Sequence, residues 1–112
     1  MLKDEVEKLK VLAKASKREV IVDILDDIDR GNLSSSPGWG KVIGERKVVT
    51  AAACDAGFAE ETILFLAFED GTFEVGMGES LRPYNQVYKG SDEEVAVEKF
   101  SSIVTKHLRI IG

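Results

Sequence analysis

Two side chains of the sequence could form a nucleophile–base pair, and only in one way. Cys54 is its single cysteine and His107 its single histidine. A thiol beside an imidazole can ionise and attack a carbonyl carbon, so a Cys54–His107 enzyme is one candidate reading. The surroundings favour a plainer one. Cys54 follows three alanines, as a small buried residue would, and His107 flanks an apolar stripe. One cysteine permits neither an intrachain disulfide nor a cysteine-rich zinc site. Neither residue has a second ligand at metal spacing.

DILDDIDRGN, residues 23–32, places four aspartates in seven positions. Asp23 and Asp27 on a helix would be i,i+4 neighbours able to share a divalent cation. A hard cation wants six or more oxygens in a closed shell, and two helical carboxylates leave it open. The calcium-loop pattern started at Asp27 fails as well: its sixth position is Asn32 where glycine is needed, and its twelfth is Gly38 where glutamate is needed. The run reads as a solvated acidic face, with no metal expected. GNLSSSPGWGK, residues 31–41, is glycine-rich but lacks the G-x-x-x-x-G-K-[ST] phosphate signature. No cofactor is expected. Trp39 in that stretch reads as a cap over the core edge or as an anchor for a partner. Tyr84 and Tyr88, beside Arg82 and Lys89, form the one basic-aromatic patch, of the kind that stacks bases or docks its rings on a sheet.

The elements that must position these residues follow from periodicity. From Leu2 to Asp29 apolar residues recur at helical spacing (Leu2, Val6, Leu9, Ala13, then Val20, Ile24 and Ile28). The S-x-x-E of Ser16–Glu19 has capping-box form, so the spacing predicts one helix bent at Ser16 or two helices meeting there. Gly31 would end it. GNLSSSPGWG reads as a loop. Strands are expected at 41–53, 62–68 and 73–77, with Asp70-Gly71 as the centre of a two-residue type I′ turn. That turn pairs Phe68 with Phe73, Leu66 with Val75 and Leu64 with Met77 on an apolar face, and leaves Ile63 and Phe65 on the reverse face. Residues 79–90 read as a long connection. Ser91-Asp92-Glu93-Glu94 opens a last helix with the stripe Val97, Phe100, Val104, Leu108 and Ile111.

The expected fold is α+β across one domain, residues 1–112: an N-terminal helix, a three-stranded antiparallel sheet and a C-terminal helix. In element order alone this resembles the double-stranded-RNA-binding domain. That domain presents lysines at the start of its final helix, where this chain has acids, which argues against RNA binding at that surface. Residues 62–68 do not alternate, so both faces of the middle strand must be covered. The cover is the N-terminal helix, the long 79–90 connection or a second chain.

Charge sets further bounds. Fifteen bases against twenty acids leave −5, unfavourable for a general binder of nucleic acid or anionic membrane. Residues 1–18 hold six bases and three acids, whereas 19–39 hold five acids and one base. The basic first segment (Lys3, Lys8, Lys10, Lys14, Lys17, Arg18) is the one nucleic-acid candidate. No segment is apolar enough to span a bilayer, and the first residues lack a signal-peptide core, so a cytoplasmic protein is expected. Charged residues at 31% with few amide side chains lean thermophilic. The reading that follows is a small acidic, non-enzymatic protein-interaction module. Its contacts would come from Trp39, Ile63, Phe65, Tyr84 and Tyr88, with a protein partner or a second copy meeting the sheet as a homodimer.

Overall fold

The computed structural model describes residues 2–16, 20–55, 62–78 and 85–111. Its order is α1 (Leu2–Lys14), β1 (Ile21–Leu25), α2 (Asp27–Ser35), α3 (Pro37–Ile43), β2 (Val48–Asp55), β3 (Thr62–Phe68), β4 (Phe73–Gly78), β5 (Asn85–Gly90) and α4 (Glu93–Ile111). The α+β class and the two outer helices agree with the sequence reading. The sheet does not: it has five strands, all antiparallel, in the sequential order β1-β2-β3-β4-β5.

The two additional strands come from segments whose pattern misled. Val20, Ile24 and Ile28 sit four apart and mimic a helical stripe. Residues 20, 22 and 24 equally alternate, and Ile21-Val22 with Ile24 are β-branched, which favours a strand. β1 results, and helix α1 ends at Lys14. Of the expected capping box, Ser16–Glu19, residues 17–19 lie outside the described residues. β5 arises from the expected connection, pairing Val75 with Tyr88 across a bulge at Val75/Gly76.

GNLSSSPGWG is also corrected, from loop to helix. Asp26 caps α2, its carboxylate accepting from the N–H groups of Ile28 and Asp29 at 3.0 Å each. Gly31 lies inside α2 and does not end it. Ser36 then caps α3 with Pro37 in its first turn, a position where the missing N–H costs nothing. Gly40 is required at this junction: a Cβ there would meet the Ser34 carbonyl oxygen at 2.7 Å. Val42 and Ile43, expected in a strand, belong to α3.

The β3–β4 register differs by one residue. Phe68 N–H donates to the Thr72 carbonyl at 2.9 Å and Gly71 N–H to the Phe68 carbonyl at 3.1 Å, with Gly71 at φ 85°. This is a three-residue loop ending on a left-handed glycine, not a two-residue turn centred on Asp70-Gly71. Ala67 therefore pairs with Phe73, Phe65 with Val75 and Ile63 with Met77, and a slip of one exchanges the faces. Ile63, Phe65, Ala67 and Val75 pack under α1 and α4, with Leu9, Phe100 and Val104. Leu66, Phe68 and Ala51 face the other way, against Ile43 of α3, with Leu25, Leu33 and Val42 beside them. Both sides of β3 are covered, as its unbroken apolar run requires, and the chain supplies both covers.

Candidate functional site

Cys54 lies in β2 between Val22 and Ile63 and is buried in the helix-side core. Burial, reinforced by the negative charge of Asp55, pushes its thiol up to about 12. Such a thiol holds its proton at neutral pH and is a poor nucleophile. His107 is half-buried on α4. Among the described residues no three of the His, Cys, Asp and Glu side chains gather as a metal site.

The acidic run is distributed over structural tasks. Asp23, in β1, meets Lys10 of α1 at 3.1 Å and accepts from the Ile24 N–H at 2.9 Å. The Lys10 hydrogen bond is the main reason its carboxyl sits below the usual 3.8. Asp26 is the α2 cap, and Asp27 pairs with Arg30, whose guanidinium also donates to the Leu25 carbonyl at 3.0 Å. Asp29 is exposed. The bases of α1 are similarly engaged: Lys8 with Glu5 and Lys10 with Glu7, each at 3.4 Å. Intrahelical pairing of this kind offsets the charge of two of the four α1 lysines. Lys17 and Arg18 lie outside the described residues.

The five candidate contact residues are not brought together. Ile63 and Phe65 sit inside the helix-side core, Phe65 edge-on to Phe100 at a centroid distance of 6.1 Å. The chain itself covers both. Trp39 is buried on α3, where it walls a groove of about 350 Å³ with Leu25, Leu33, Ala53 and Leu64, Asp29 and Asp55 also lining it. The capping role considered for Trp39 fits this placement. Tyr88 is half-buried on β5 and its hydroxyl accepts from the Asp92 N–H at 3.2 Å, holding the start of α4. Tyr84 lies outside the described residues. A second groove of about 530 Å³ runs between α1 and α4, lined by Asp4, Glu5, Glu94 and Glu98 with Lys8 and Val97.

What sequence reasoning missed is an exposed apolar set elsewhere. Among the described residues, seven large apolar side chains are exposed, and five of them (Val11, Leu12, Ile21, Ile24 and Ile28) fall between residues 11 and 28. Ile21 is 68% and Ile28 77% exposed. β1 is an outer strand of the sheet, and these residues belong to it and to the helices on either side of it in sequence. The signal available was the β-branched run Val20-Ile21-Val22, which a helical reading of the stripe concealed.

No helix among the described residues is long and apolar enough to cross a membrane. Comparison with protein-family models, curated proteins and solved structures finds no match for this chain.

Proposed function

We propose that the protein is a non-enzymatic interaction module that binds another protein through the β1 side of its sheet. The supporting observation is the concentration of exposed apolar side chains on α1, β1 and α2, at and around an outer strand. Large apolar side chains left in water at a sheet edge favour association, because covering them gains hydrophobic free energy and an edge strand offers peptide groups to pair. The chemistry of the other candidates supports the same reading. Cys54 is buried and protonated, Asp23, Asp26 and Asp27 cap or pair, and two of the four α1 lysines, Lys8 and Lys10, are engaged by glutamates.

Site-specific photo-cross-linking in the native cell tests this. Cross-linkers placed at Val11, Ile21 or Ile28 are expected to capture one recurrent protein, and a cross-linker at Val87 on the opposite outer strand is not. Equal capture from Val87, or none from the three β1-side positions, overturns the proposal.

A further inference from the structure

The partner's chemistry can be narrowed further, on the reading just given. We infer that β1 accepts an extended, alternating apolar–basic segment of another protein, which adds to the sheet as a sixth strand beside Ile21–Leu25. Three observations converge. First, the Ile24 N–H is held by the Asp23 carboxylate at 2.9 Å and not by β2. In an antiparallel pair a residue's N–H and C=O turn to the same side, so the peptide groups of Ile24 point outward from the sheet. Asp23 Oδ1 occupies the place that an incoming strand's carbonyl oxygen would take. Second, Ile24 is exposed on one face of this strand and Asp23 on the other, so an alternating partner would set apolar side chains beside the first and basic ones beside the second. Third, residues 20–29 carry four aspartates and no base. Lys10 and Arg30 reach two of them, and Asp29 stands exposed in the first turn of α2, just beyond the strand. Basic side chains on the partner complement this edge. A second copy would instead bring acidic edge to acidic edge, on a chain already at −5.

The test titrates the full chain with a short synthetic peptide alternating valine and lysine. Two controls accompany it: a peptide of the same composition with the residues in blocks, and a valine–glutamate counterpart. The alternating lysine peptide is expected to bind and to shift the amide NMR signals of residues 21–25. Ile24→Pro removes an outward N–H with its Asp23 bond, and the exposed side chain, a change that an outer strand tolerates, and is expected to weaken binding at least about ten-fold. Ile21→Lys, at an exposed position, supplies a second variant with the same expected direction should the proline disturb folding. Equal binding of the block or the glutamate peptide overturns the inference, as do shifts confined to the α1–α4 groove. So does self-association through β1 that Ile24→Pro abolishes, because a second copy is then the occupant. If cross-linking from Val11 or Ile28 succeeds while the peptide fails, the interaction module stands and this inference falls. If both fail, both fall.

Discussion

Glu74 is the one charged side chain buried among the described residues, at 4% exposed, and its tolerance there depends on Arg46. The guanidinium meets Glu74 Oε2 at 3.0 Å, donates to the carbonyls of Val42 and Ile43 at the end of α3, and lies 3.9 Å from the Phe68 ring centroid. One side chain thus ties α3 to β3 and β4. Removing the acid alone takes the counter-charge from the half-buried Arg46, so Glu74→Ala is expected to destabilise by about 1–3 kcal/mol in urea unfolding. Replacing both, as Arg46→Met with Glu74→Leu, should recover much of that loss, since an apolar pair carries no desolvation cost. Cys54 gives a prediction of opposite kind. Its thiol is raised from 9.0 to about 12 in the folded protein, so the folded state binds its proton more tightly. That contribution to stability is complete below pH 9.0 and is lost as pH rises toward 12. Iodoacetamide at pH 8 is expected to alkylate Cys54 only as fast as the helix-side core opens. Rapid labelling of the native protein would contradict its burial.

At the scale of elements, Gly71 decides the β3–β4 register. Its positive φ closes a three-residue loop, and an L side chain there is strained. Gly71→Ala is expected to cost about 1–2 kcal/mol by thermal or urea unfolding. The same turn shows where reading the sequence succeeds and where it stops. Asp70-Gly71 announces a hairpin, yet two- and three-residue loops use the same pair. β3 is apolar on both sides and so does not choose between the registers they impose. α1, β4 and the α4 stripe were legible because one period dominated each, and β3 because its apolar run is short and bounded by turn residues. β1 was not, because its apolar positions satisfy a helix and a strand together and only tertiary pairing with β2 selects. The α2–α3 arch was hidden by glycines and serines that usually mark loops, although Ser36-Pro37 was a valid helix start. The candidate site was legible only in kind. Excess apolar surface was expected, but it was assigned to Ile63 and Phe65, which the one-residue slip carries under the helices.

The whole molecule is three layers: α1 with α4, the sheet, and the α2–α3 arch. Stability therefore resides in the middle and is insensitive to the exposed side chains on the β1 side. Phe65→Ala is expected to cost about 3–5 kcal/mol, because a buried ring is lost between two elements. Ile28→Asp, at an exposed position, should change stability by less than about 0.5 kcal/mol while reducing partner capture. Equal effects of the two substitutions on unfolding would contradict the layering. The layering also bears on how the chain reaches this state. Strands β2 to β5 follow one another as neighbours, so they can zip up through short excursions. The Ser101 hydroxyl, by contrast, meets the Glu5 carboxylate at 3.0 Å across a separation of 96 residues. Closing so long a span carries the larger entropic toll. The leading helix is thus expected to seat last and lift away first, taking its lysine clasp off Asp23 as it goes. Amide exchange faster at residues 2–14 than in β2–β4 would show this. A transient departure of that helix, far short of unfolding, would loosen the very margin of the sheet at which an incoming strand must arrive.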